Sequence, residues 1–189
     1  MPRLFTALEL PEDIRDDLAD LEMPIPGARF VDTDDLHVTL RFAGDVDNRT
    51  ANEFADALAS IDGEAFITRI AGLGVFGGRE AKSIHATVEA GPALERLARA
   101  NERAARAAGL APETRAFKPH VTIARLRNPR AEALARFLSR HGAYSSEPFL
   151  ITHFALISSK PMVGGGPYVV EETYPLAEVS RRSGLAGPA

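Results

Sequence analysis

The sequence predicts an α+β fold of two similar lobes, each an antiparallel-rich sheet flanked by helices, arranged around a central groove. Three observations carry this. Strand-like and helix-like apolar periods alternate along the chain, so that each half reads strand, helix, strand, helix, strand. One tripeptide pattern occurs once in each half. It recurs at an equivalent place: Arg3 and His37 are 34 residues apart, Ile84 and His120 are 36, which points to an internal duplication.

In order, Arg3 to Leu8 is a short apolar run that stops before Pro11, hence a strand. Pro11 to Glu22 reads as a helix, with proline at its start, Glu12 and Asp13 against the positive end of its dipole, and Ile14, Leu18 and Leu21 in one stripe. Asp35 to Phe42 is a strand. Asn48 to Ile61 is a helix with Phe54, Leu58 and Ile61 on one face and Gly63 past its end. Glu64 to Val75 is an extended strand, and Gly72, Gly74, Gly77 and Gly78 mark bends near its end. In the second half, Lys82 to Val88 is a strand, and a helix opens at Gly91-Pro92 and closes at Gly109. Pro119 to Leu126 is a strand, Pro129 to His141 a helix stopped by Gly142, and Phe149 to Ser158 a strand. A loop holding Gly164-Gly165-Gly166 precedes a last strand, Tyr168 to Thr173. Residues 1–178 are expected to form one two-lobed domain and 179–189 a disordered tail.

Composition narrows the function. With 189 residues, 45% apolar and 25% charged, the chain has enough material for a sizeable core and the balance of a soluble globular protein. It has no cysteine, which excludes a disulfide scaffold and thiolate metal sites and fits the reducing cytoplasm, where the protein is expected. No signal-peptide pattern opens the sequence and no apolar stretch approaches membrane-spanning length, so no membrane is expected as a partner. A net charge of −4 argues against a basic coat for gripping duplex nucleic acid and leaves room for a small anion in a local basic pocket.

The repeated pattern is His37-Val38-Thr39-Leu40 and His120-Val121-Thr122-Ile123. In a strand, side chains alternate faces, so each copy presents an imidazole beside a hydroxyl while Val38, Leu40, Val121 and Ile123 turn to the core. Two such strands line a cleft with two imidazoles and two hydroxyls. Histidine titrates near neutrality, so the pair can hold one base and one acid together. Opening a cyclic phosphodiester needs both: water loses a proton as it attacks phosphorus, and the departing ribose oxygen gains one. The Thr39 and Thr122 hydroxyls can donate to the non-bridging oxygens, where charge gathers. A two-histidine metal site is the rival reading, but the nearby residues lack carboxylate or thiolate ligands at fitting spacing; of Asp34 and Asp35, only Asp35 shares a face with His37. No metal and no other cofactor is expected.

With these paired motifs the chain resembles the RNA 2′,3′-cyclic phosphodiesterases, also called 2′-5′ RNA ligases, of the two-histidine phosphoesterase superfamily. The resemblance runs from Arg3 to about Leu176. It rests on Arg3-Leu4-Phe5-Thr6-Ala7-Leu8 with Pro11, on Asp35 through Gly44, on Phe117 through Arg125, and on Tyr174-Pro175-Leu176. It implies a bilobal fold with both motifs in a central groove and metal-free hydrolysis of RNA 2′,3′-cyclic phosphate ends to 2′-phosphates, with a weak reverse 2′-5′ ligation. His37 would then be the acid protonating the leaving 3′ oxygen and His120 the base activating water; reversal exchanges the roles. Thr39, Thr122 and Arg125 would bind the phosphate. Arg125, an odd number of positions from His120, needs a bend in its strand or a place at the strand end to reach the phosphate.

Phe42 and Phe117 are candidates for stacking on a base, the usual way single-stranded RNA ends are held. Relatives often carry an aromatic in the strand before the long helix; here that segment reads Ser83-Ile84-His85-Ala86, so His85 is a possible third polar group at the groove. His141 reads as a complement to its helix dipole. The long helix's Arg96, Arg99, Arg103 and Arg106 lie among Glu95 and Glu102, as on a solvated face. The expected partners are RNA ends or small cyclic nucleotides, with no obligate protein partner. Phosphodiesterase activity on 2′-5′-linked oligonucleotides or small cyclic nucleotides, and an RNA-end binding module without turnover, are the alternatives.

Overall fold

The computed structural model describes residues 2–78, 80–89, 91–159 and 168–178. The loop expected at Gly164-Gly165-Gly166 and the tail expected at 179–189 lie outside them. The elements are β1 (Arg3–Glu9), α1 (Glu12–Ala19), β2 (Ala28–Phe30), a 3₁₀ turn (Thr33–Asp35), β3 (His37–Asp45), α2 (Asn48–Ala59), β4 (Phe66–Thr68), β5 (Ile70–Phe76), β6 (Ser83–Val88), α3 (Pro92–Ala107), β7 (His120–Leu126), α4 (Ala131–His141), β8 (Phe149–Ile151), β9 (His153–Ser159) and β10 (Tyr168–Pro175). The α+β class and the two antiparallel halves are as the pattern predicts. Helix α1 is shorter than expected: Asp20 caps it, Leu21 N–H winds back to the Leu18 carbonyl, and Pro24 follows close behind. Strand β2 is absent from the sequence prediction; three residues are too few to show a period.

Four antiparallel strands, β10-β9-β1-β3, make one half of the main sheet, and β7-β6-β5, with β2 also on β7, make the other. Each half of the sheet therefore mixes the two halves of the sequence: β5 joins β6 and β7, while β9 and β10 join β1. The exchange explains why two strands expected to be continuous are broken. Glu64 to Val75 splits at Arg69 and Phe149 to Ser158 splits at Thr152. The first pieces, β4 and β8, pair with each other through Phe66↔Ile151 and Thr68↔Phe149. Beyond those breaks the chains part into opposite halves of the sheet.

The helices pack on one face. α3 lies on α2 and β3, α4 on β5, and α2 against β10. Phe54, Phe137 and Phe154 are wholly buried in the layer between, each contributing roughly 1.5–3 kcal/mol by leaving water. A smaller apolar cluster, Phe5, Ala7, Ala155 and Ile157 with Tyr168 against it, sits apart from this core. No helix among the described residues is long and apolar enough to cross a membrane.

Candidate active site

β3 and β7 run antiparallel and, among the described residues, pair at one position, Val38↔Val121. Both valines are buried in the main core. His37 and Thr39 flank one, His120 and Thr122 the other, so alternation turns all four to the opposite face. Counting outward from the pair sets His37 across from Thr122 and Thr39 across from His120, where the strands have already parted. The gap is a pocket of about 330 Å³ lined by all four, together with Phe42 and Arg125.

The bend that Arg125 needs is present. Against β6, Ile84 pairs with Ala124 and His85 with Thr122, leaving Ile123 unpaired as a bulge. The extra residue inverts the alternation beyond it: Ile123 and Ala124 are both buried, and Arg125 returns to the pocket face. β3 repeats the device. Thr6 pairs with Arg41 and Ala7 with Thr39, skipping Leu40. Leu40 and Arg41 are buried and Phe42 comes back to the pocket. Phe42 and Arg125 thus occupy equivalent places, each five residues after its histidine. Arg41, turned inward by this bulge, is held by Glu102 of α3 and by the Phe42 and Ala111 carbonyls.

Both imidazoles are oriented in the same way. His37 Nδ1 donates to the Asp35 carbonyl at 2.7 Å, and His120 Nδ1 to the Lys118 carbonyl at 2.6 Å. A carbonyl only accepts, so the proton of each neutral ring is on Nδ1 and Nε2 is left bare. His37 Nε2 accepts from the Thr39 hydroxyl at 3.1 Å. Burial lowers the His37 pKa, and the nearby His120 and Arg125 lower it further, against the Asp35 hydrogen bond. Burial also raises the Asp35 carboxyl, although its side chain accepts from the Tyr168 backbone N–H.

The profile of the 2′-5′ RNA ligase superfamily matches residues 10–161. The chain belongs to this superfamily. It is 34% identical over 132 residues to the RNA 2′,3′-cyclic phosphodiesterase of Aeropyrum pernix, a match covering 68% of this chain and 73% of that one. A Thermus thermophilus structure has the same fold, with TM-score 0.78 at 24% identity over 94% of this chain and 99% of that one. So does E. coli LigT complexed with 3′-AMP, with TM-score 0.76 at 24% identity over 93% and 99%.

Around the paired motifs of this 2′-5′ RNA ligase superfamily member, the structure adds residues that sequence reasoning did not single out. Phe5 and Tyr168 pack on the His37 ring, with centroids at 4.9 and 5.2 Å, and both line the pocket. Arg3 lines it too, its guanidinium paired with Asp45 at 2.8 Å. Phe5 and Arg3 sit in the opening motif, which is the only signal that could have found them; Tyr168 comes from a distant strand and had none. Phe117 is exposed and is not among the pocket-lining residues, so of the two candidate stacking rings only Phe42 is brought to the site. His85 is buried beside His120 rather than in the pocket wall. No group of three His, Asp or Glu side chains placed to hold a metal ion occurs among the described residues.

Proposed function

We propose that the chain hydrolyses RNA 2′,3′-cyclic phosphate ends to 2′-phosphates without a metal ion, residues 1–178 working as one two-lobed unit. The observation that carries this is the shared tethering of His37 and His120. Each Nδ1 proton is fixed on a carbonyl two residues back, which leaves both Nε2 atoms without a proton in one pocket with Thr39, Thr122 and Arg125, that of His37 accepting from the Thr39 hydroxyl. The Aeropyrum pernix relative, an RNA 2′,3′-cyclic phosphodiesterase by name, supports the cyclic-phosphate substrate.

One ring starts neutral and the other protonated. The neutral Nε2 takes a proton from water as its oxygen bonds to phosphorus; the protonated Nε2 gives its proton to the 3′ oxygen as that bond to phosphorus breaks. The product is a 2′-phosphate with a free 3′-hydroxyl, and proton exchange with solvent resets the pair. Carried over from the family, His37 is the acid and His120 the base. The negative charge of the cyclic phosphate favours the proton on His37 that burial alone disfavours. Thr39, Thr122 and Arg125 hold the non-bridging oxygens, and Phe42 stacks on the base. The reverse reaction joins a cyclic end to a 5′-hydroxyl. The cysteine-free composition suits the cytoplasm, where we place this activity.

The deciding experiment is hydrolysis of a nucleoside 2′,3′-cyclic phosphate and of a short RNA with the same end, in excess EDTA, with products resolved. Formation of the 2′-phosphate, with a bell-shaped pH profile, is expected. A 3′-phosphate, or turnover only with added divalent metal, overturns the mechanism.

A further inference from the structure

We propose that His85 is a positioning residue: stacked with Phe76 above Gly74, it holds the His120 ring with Nε2 aimed into the pocket. The inference rests on the reading of His120 as a catalytic residue. The two imidazoles are supported unequally. Among the described residues His37 has hydrogen bonds on both nitrogens, whereas His120 has one, to the Lys118 carbonyl. A single bond at Nδ1 leaves the ring free to tilt about it, so the remaining constraint has to come from packing.

Two rings supply that packing. Phe76 meets His120 edge to face at 4.8 Å and 79°, and His85 meets it at 5.7 Å and 75°. Phe76 and His85 are themselves stacked at 3.7 Å and 11°. In the other half of the sheet Phe5 and Tyr168 do the same for His37. The sheet dictates the placement: Gly74 pairs with His85, and His85 with Thr122, in one row across β5, β6 and β7. Paired residues share a face, so His85 stands on the side of the sheet that carries Thr122. The matching position opposite Thr39 is Ala7, so an imidazole here occupies what is a methyl group there.

Gly74 makes the space. A Cβ at this position would stand 2.9 Å from both Cε1 and Nε2 of the His85 ring. Burial pushes His85 down to about 4, so at neutral pH it meets His120 as an uncharged ring and does not repel a proton there. Its Nδ1 is buried without a partner, a cost that phenylalanine would avoid while keeping the stack.

The test uses the full chain with His85→Ala, His85→Phe and Gly74→Ala, read by steady-state kinetics on a nucleoside 2′,3′-cyclic phosphate and by the imidazole NMR signals of His120. H85A should lower kcat roughly 10- to 100-fold with KM within about twofold of wild type, the mark of a misplaced group rather than lost binding. The His120 signals should move in H85A and G74A, and H85F should recover most of the kcat lost by H85A. Wild-type kcat and unmoved His120 signals in H85A overturn the proposal. So does an H85F that melts like wild type yet turns over no faster than H85A, since the ring nitrogens rather than the stack would then be required. If H120A itself keeps wild-type turnover, the catalytic reading fails instead, and the NMR signals still report whether His85 positions the ring.

Discussion

Val38 and Val121 face each other at the one position where β3 and β7 pair among the described residues, and both are buried. That single contact sets the spacing of the two histidines, because each strand carries its imidazole and its hydroxyl on either side of it. Val121→Ala removes two methyl groups from a filled site, a loss of about 1–3 kcal/mol. We expect a lower denaturant midpoint together with a lower kcat in the folded enzyme. Leu94→Ala, at an equally buried place in α3, is the comparison: it should destabilise at least as much and leave kcat nearly unchanged. Equal kcat in the two variants would remove the seam as the element that sets catalytic geometry.

His37→Ala and His120→Ala should each lower kcat by roughly 10²–10⁴ on cyclic nucleotides in EDTA. In the proposed mechanism the two groups move protons within one displacement, so their losses should not multiply: the double variant is expected within about tenfold of the slower single one. Binding of the 2′-phosphate product, followed by calorimetry, should survive each substitution. Losses that multiply would mean that the two rings serve separate steps.

Stability should fall on acidification, and the sign follows from burial. The unfolded chain protonates its histidines near pH 6.5, whereas native His37 is held below that and native His85 is held at about 4. Below about pH 6.5 the unfolded state binds protons that the native state does not, so unfolding becomes easier as pH drops, levelling off near pH 4 for His85. Thermal melts should show a smaller drop in Tm between pH 7 and pH 4.5 for His85→Phe than for wild type. Parallel curves would show that native His85 protonates freely.

The sequence made legible what rests on regular alternation. His37 and Thr39 are two apart, as are His120 and Thr122, and simple parity puts each pair on one face with its valine on the other. Parity fails beyond the bulges. Leu40 and Ile123 are apolar residues where alternation already expects an inward side chain, and nothing in their type marks them as the extra residue that returns Phe42 and Arg125 to the pocket. The exchange of strands between halves was equally hidden. Arg69 and Thr152 are not turn-forming residues, and the reason for the breaks is the pairing of β4 with β8, far apart in the chain. Supports such as Phe5 and Tyr168 owe their place to the sheet order β10-β9-β1-β3, which no local pattern encodes.

Phe42 and Arg125 stand at equivalent positions after equivalent bulges, yet one offers an aromatic face and the other a guanidinium. The two ends of a near-symmetric pocket thereby become different, and on the proposed reading the phosphate goes to Arg125 and the base to Phe42. The difference separates two binding contributions. If Arg125 holds the phosphate as proposed, Arg125→Ala removes a charge-assisted contact worth roughly 1.5–3 kcal/mol and should weaken inorganic phosphate and a 2′-nucleotide by similar factors. If Phe42 stacks on the base as proposed, Phe42→Ala removes a platform worth about 1–3 kcal/mol per base; it should weaken the nucleotide and leave inorganic phosphate unchanged. Phe117→Ala, outside the pocket lining, should change neither. Competitive inhibition of cyclic nucleotide hydrolysis by the two ligands gives all six comparisons. A Phe42→Ala enzyme that loses phosphate and nucleotide equally would place Phe42 in the support of the phosphate site rather than under the base.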